Sequence, residues 1–135
     1  MFFYKKVTNL RIKKLNLSIN FGRDQWKYFK LFSNFFIKNT ITKQIIILNF
    51  TKIKDYNYSK LSKDLNHNYT EVIYNENIFY HYFINFDKDE ILEYEWILIK
   101  NSFLITFTTT ISSKKNKDEI DMEYENVIDI LKQIK

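Results

Sequence analysis

The side chains best suited to acid–base or metal chemistry in this 135-residue sequence are His67, His81 and the carboxylates of Asp87, Asp89, Glu90, Glu93 and Glu95. A zinc site needs three or four His, Cys or carboxylate ligands brought together. Neither histidine has a second ligand at such a spacing, and the chain has no cysteine. Glu93 and Glu95 alternate onto one face of a strand beside the 87–90 acids, a pairing that could move protons or hold a cation. The commoner role of such charges is to protect a sheet edge and solvate a loop. The best catalytic constellation would join His81 to Glu93 or Glu95, but strand alternation sends those acids to the face opposite His81. Nucleophilic and phosphate-cradling motifs need glycine-rich turns, and Gly22 is the one glycine present. The residues therefore imply no catalytic group, no metal and no cofactor.

A second chemistry is charge. Residues 1–60 carry eleven Lys and two Arg against Asp24 and Asp55, whereas residues 61–135 carry eight Lys against fourteen acids, within a formal net charge of +5. Arg11, Lys13, Lys14, Arg23, Lys27 and Lys30 interleave with Trp26, Tyr28 and Phe29, the mixture of cations and stacking rings that single-strand binding uses. No glycine-aromatic RNA-binding signature accompanies it. The reading favoured is that basic strands lie beside acidic ones in one sheet and cancel locally. Richness in Asn, Lys, Ile, Tyr and Phe is also what an AT-rich coding sequence yields, so the aromatic count alone argues little.

These groups must be positioned by the elements between residues 78 and 134. A turn at Lys100-Asn101 would join Ile91–Ile99 to Ser102–Ile111, pairing Leu98 with Phe103, Trp96 with Ile105 and Tyr94 with Phe107. The tetrad Asp87–Glu90 would join Ile78–Phe86 to the same strand, setting Phe83 beside Tyr94, His81 beside Trp96 and Phe79 beside Leu98. Both turns place the same aromatic rows on one face, and a one-residue slip would send them to the other. Tyr80, Tyr82, Ile84, Glu93, Glu95, Ile97, Leu104, Thr106 and Thr108 fall on the opposite, mixed face, which is expected to be partly covered. Ile120, Tyr124, Val127, Leu131 and Ile134 recur with helical period, widened by Ile128 and Ile130. They form a stripe able to cover the aromatic face, and Asn116 with Glu119 forms a capping box at its start.

The first half reads as a meander. Leu10–Phe21 gives two alternating runs with a phase break near Lys13-Lys14, then a turn at Phe21–Asp24. Tyr28–Phe36 and Gln44–Ile53 are strand-prone, with a turn at Asn39–Thr42. Asp55–Asn68 has helical spacing at Tyr58, Leu61 and Leu65, with Asn57 or Ser59 as cap. The whole, residues 1–135, is expected to be a single domain of α+β class. Its longest aliphatic run, Ile45–Leu48, is far short of a membrane span, and no secretory leader is visible. A cytoplasmic location is therefore expected.

The early meander, short helix, further strands and long final helix form a recognisable outline. With Trp26 following a tight turn and Trp96 ahead of the last hairpin, it resembles the PsbP-like fold, an α/β/α sandwich around an antiparallel sheet with small bacterial members. The likeness spans roughly residues 10–134 in pattern. It departs at Gly22–Gln25, where many relatives carry a Pro before the Trp. The resemblance implies an adaptor or assembly role rather than catalysis. The expectation is thus a non-enzymatic protein-binding domain, with immunity to a toxin as one specific form. Its partner would dock on Tyr80, Tyr82, Asp87, Asp89, Glu90, Glu93 and Glu95. The alternative is nucleic-acid binding through the basic N-terminal half.

Overall fold

A computed structural model describes residues 3–22 and 25–135. The expected turn at Phe21–Asp24 lies partly, and Arg23 wholly, outside the described residues. The chain forms strands β1 (Lys5–Lys6), β2 (Asn9–Ile12), β3 (Leu17–Asn20), β4 (Trp26–Leu31), β5 (Asn34–Asn39) and β6 (Ile45–Lys52), then helix α1 (Tyr58–Asp64). Strands β7 (Thr70–Tyr74), β8 (Asn77–Phe86), β9 (Ile91–Lys100) and β10 (Phe103–Ser112) follow, and helix α2 (Lys117–Leu131) ends the order.

Eight strands make one antiparallel sheet in the order β1-β4-β5-β6-β10-β9-β8-β7, while β2 and β3 form a separate hairpin. It is two meanders rather than one: β4–β5–β6 and β7–β8–β9–β10, joined where β6 pairs with β10. The connection through α1 carries the chain to the far edge before it winds back. This is the antiparallel sheet with a short middle helix and a C-terminal helix that the pattern implies.

One face of the sheet holds the main core. Phe35, Ile37, Ile46, Leu48, Phe79, Trp96, Leu98, Ile105 and Phe107 are buried there against Val127, Ile128, Ile130, Leu131 and Ile134 and against the β2–β3 hairpin residues Leu10, Ile12, Leu17 and Ile19. The α2 stripe is thus the expected one. Asn116 caps the helix reciprocally: its Oδ1 accepts from the Glu119 N–H at 2.9 Å, and its amide donates to Glu119 Oε1 at 2.8 Å. Among the buried polar groups beneath the helix is Gln44, whose amide donates to the Glu123 carbonyl at 2.8 Å and to Thr109 Oγ1 at 3.2 Å. Buried Glu123 is neutralised by Lys115 at 2.8 Å.

The opposite face carries a smaller cluster built by α1. Leu61 packs with Tyr80 and Ile97. Asn57, one of the two expected caps, accepts from the Lys60 N–H at 3.0 Å. The Tyr58 hydroxyl donates to the Ile78 carbonyl at 2.5 Å and accepts from the Ile99 N–H at 2.9 Å, pinning the helix to β8 and β9.

The registers divide the expectations. Phe79↔Leu98, His81↔Trp96 and Phe83↔Tyr94 pair as expected. The β9–β10 turn is Asn101-Ser102 rather than Lys100-Asn101, so Leu98, Trp96 and Tyr94 face Ile105, Phe107 and Thr109. Both turn residues are left-handed, at φ 54° and 67°, the geometry of a tight hairpin turn, which favours Asn at its first position over Lys. The correction slides the pairing by two residues, so every side chain keeps its face. Tyr28–Phe36 is not one strand: it turns at Phe32-Ser33, with Phe32 left-handed (φ 56°) and 86% exposed. Strand β7, whose turn at Asn75-Glu76 is also left-handed at both positions, is an element that the sequence pattern did not resolve.

Candidate functional site

His81 is a half-buried histidine with both ring nitrogens bonded. Its ring stacks on Trp96 at 4.2 Å and 9°, and its Nδ1 lies 2.8 Å from the Glu95 carbonyl oxygen. A carbonyl can only accept, so Nδ1 carries the proton and Nε2 accepts from the Tyr124 hydroxyl at 3.1 Å. Burial lowers its pKa below the ordinary 6.5, partly opposed by the bond to Glu95. The Glu95 carboxylate points to the other face, where Tyr82, directly across the ladder, donates its hydroxyl to it. Burial raises the Glu95 pKa, the Tyr82 bond lowers it, and neighbouring Glu93 raises it. The sheet therefore separates His81 from both carboxylates. His67 is exposed and bonded to Ser62 at 2.9 Å. Among the described residues no group of three or more His, Asp or Glu converges as a metal site, and no helix is long and apolar enough to cross a membrane. A cleft of about 350 Å³ between the end of β3 and α2 is lined by Asn20, Gln25, Trp26, Asn126 and Asp129 among others, and among the described residues it offers one carboxylate and no nucleophile.

The seven residues expected to meet a partner do not share one fate. Tyr80 is 7% exposed, stacked on Tyr69 at 4.1 Å beneath α1; burial removes it from the candidate surface. Tyr82 packs at the margin of the α1 cluster; it, Glu93 and Glu95 are half-buried, while Asp87, Asp89 and Glu90 sit on the exposed β8–β9 turn. Glu90 pairs with Lys114 at 2.8 Å.

Around these acids lie side chains that sequence reasoning did not single out as a site. Phe83 is 60% exposed, Phe86 41%, Ile84 39% and Ile91 36%. Phe83 was expected under α2; instead Tyr124 covers His81, Tyr94 and Trp96, and Phe83 stacks outward on Tyr94 at 5.7 Å. β7 pairs with β8 from Asn77 to His81 and stops there. The segment Tyr82–Phe86 is consequently a sheet edge with no neighbour on its outer side among the described residues. The signal that could have found it is the length of β7, set by the Asn75-Glu76 turn.

The registers also lay out rows across the outer face of the sheet. On the β4–β6 side one row runs Lys27, Lys38, Ile45, and on the β8–β10 side one runs Thr110, Glu93, Ile84; the continuous row beside them runs Phe29, Phe36, Ile47, Thr108, Glu95, Tyr82. Lys38 and Glu93 are three strand spacings apart, about 14 Å, beyond the ~8 Å screening length at physiological salt. On this face the charges do not cancel locally as expected: one end is cationic and the other anionic. The basic residues themselves scatter. Lys14 lies 5.8 Å over the Phe50 ring, Lys30 5.7 Å over Phe35, and Arg11 bonds to Asn16 and Ser18. Trp26 is 3% exposed and packed on Phe21.

Comparison with solved structures assigns this arrangement to the PsbP-like fold. PsbP (CyanoP) from Synechocystis sp. PCC 6803 superposes with a TM-score of 0.63 at 8% identity, covering 96% of this chain and 92% of that one. A structure from Bacteroides thetaiotaomicron VPI-5482 matches with a TM-score of 0.65 at 11% identity, covering 97% of this chain. The chain spans about half the length of that protein, 48%. No family model and no curated protein matches the sequence. At these identities the likeness is one of fold.

Proposed function

We propose that this chain is a non-enzymatic protein-binding module that docks its partner on the outer end of the β8–β9 hairpin. The observation that carries this reading is the group of exposed apolar side chains, Phe83, Ile84, Phe86 and Ile91, set beside the acids of the turn. Clustered exposed apolar surface rimmed by polar groups marks interaction sites, and aromatic anchors carry most of the energy where proteins meet. The separation of His81 from Glu93 and Glu95 supports a binding role over catalysis. A cytoplasmic setting, consistent with the lack of cysteine, belongs to the same proposal and is tested by cell fractionation.

The experiment is affinity capture from native extract with the intact chain and with Phe83→Lys plus Phe86→Lys, each partner identified by mass spectrometry. A partner held by the first and lost by the second supports the docking surface. A partner held equally by both removes this surface from the proposal.

A second reading draws on Lys27 and Lys38 flanking the stacked pair Phe29 and Phe36, whose rings lie 4.7 Å apart. Cations beside aromatic rings on a sheet face suit single-stranded nucleic acid. The burial of Trp26 and the scatter of Arg11, Lys14 and Lys30 weigh against it. It predicts retention on single-stranded DNA that falls steeply with salt; no retention at low salt removes it.

A further inference from the structure

The outer segment of β8 lacks the protections that sheet edges ordinarily carry. Exposed edges are blunted by lysines, prolines, bulges, short strands or a covering element. The opposite edge of this sheet follows that rule: β1 is two residues long, both exposed lysines, with Lys27 and Lys30 on the β4 strand behind it. Tyr82-Phe83-Ile84-Asn85-Phe86 contains no charge, and the chain has no proline. Its ladder with β9 runs without a bulge to Phe86↔Ile91. Along these five residues the backbone groups on the outer side face no other described strand, while Phe83 stands above the sheet plane and Ile84 and Phe86 below it.

Taking the docking surface above as given, the geometry points to strand addition: an extended segment of a partner polypeptide, alternating apolar residues and flanked by Lys or Arg, pairs with the outer edge of Tyr82–Phe86. Backbone hydrogen bonds would supply affinity, and alternate side chains of the added strand would rest on Phe83 on one face and on Ile84 and Phe86 on the other. Charge selects the occupant. The strand runs directly into Asp87-Lys88-Asp89-Glu90, where three acids face one lysine and Glu90 pairs with Lys114, and Glu93 lies beside Ile84 across the ladder; the balance at this end is acidic, so basic flanks are complementary there. A second copy of this chain is not. Antiparallel self-pairing would set the acidic turn against the Thr70-Glu71 end of β7, and parallel self-pairing would set two acidic turns side by side.

The test uses the full isotope-labelled chain and three synthetic peptides about ten residues long: one alternating valine and threonine with lysine flanks, one with glutamate flanks, and one identical to the first but N-methylated at every backbone nitrogen of its valine–threonine segment, which blocks both edges. Strand addition predicts that the lysine peptide shifts the amide resonances of residues 82–86 and the 87–90 turn. The glutamate peptide should bind about tenfold more weakly at low salt, and the N-methylated peptide should not bind. Phe83→Lys should abolish the shifts while leaving the thermal unfolding midpoint within a few degrees. Equal binding of the N-methylated and unmodified peptides at this end overturns strand addition and leaves the docking surface standing. Shifts confined to other parts of the chain, or none, overturn strand addition by a basic segment; the capture experiment then decides the docking surface separately. Concentration-dependent dimerisation through residues 82–86 overturns the choice of occupant.

Discussion

The two halves of strand β8 have similar composition and opposite surroundings. Asn77–His81 has β7 on one edge and, from Phe79 onward, β9 on the other, with α2 across one face and α1 across the other; Phe79 is fully buried and Tyr80 nearly so. Tyr82–Phe86 keeps β9 alone, and Phe83, Ile84 and Phe86 face solvent. Aromatic content does not distinguish them. What differs is where three other elements stop, and the lesson is that burial in a sheet is decided by its neighbours rather than by the strand itself.

The contrast predicts unequal mutational costs. Phe79→Ala should cost about 3–5 kcal/mol, since it leaves a cavity between β8 and α2, whereas Phe83→Ala should stay within about 1 kcal/mol, as exposed positions do. Urea unfolding of the two variants checks this; equal costs would break the division of the strand. Next in size, Tyr82→Phe should cost about 1 kcal/mol, because it deprives the half-buried Glu95 carboxylate of its hydroxyl donor. The same measurement should show Asn57→Ala and Asn116→Ala each losing about 1 kcal/mol by uncapping the helices that cover the inner half.

The smallest effect concerns pH. His81 is held neutral, with its folded pKa below the ordinary 6.5. The unfolded chain therefore takes up a proton first, and stability declines as pH falls from about 6.5 towards the folded value. Glu95, with its pKa raised above the ordinary 4.5, acts in the opposite sense: its folded form takes up a proton first, so acidification through that window favours the fold. His81→Phe should flatten the decline that begins near pH 6.5, checked by thermal midpoints across the pH series. An unchanged slope would mean that another group titrates there.

Much of the inner half was legible in the residues. Phe79, His81, Trp96 and Leu98 found their partners and their face because two turns demanded the same parity, and the α2 stripe at Val127, Leu131 and Ile134 named its own cover. The Asn101-Ser102 turn slid the β10 register by two without moving a side chain to the wrong face, so the error was harmless. The outer half was not legible. That Tyr80 is buried while Tyr82 lies near the open surface depends on where α1 lands, a tertiary fact with no local signal. β7 was hidden because Thr70–Tyr74 follows an Asn-rich loop and turns through Asn75-Glu76 with no glycine to mark it. Without β7 there was no way to see that its end leaves an edge open.

The central claim, that β8 changes from a wrapped strand to an open edge after His81, is tested most directly by amide hydrogen exchange along this one strand. The amides of Phe79–His81, paired on both edges, should be protected throughout. Within Tyr82–Phe86, protection should alternate, with amides bonded to β9 exchanging slowly and those on the outer side exchanging quickly. Uninterrupted protection from Asn77 to Phe86 in the isolated chain would contradict the account, since it would mean that the outer edge is already paired.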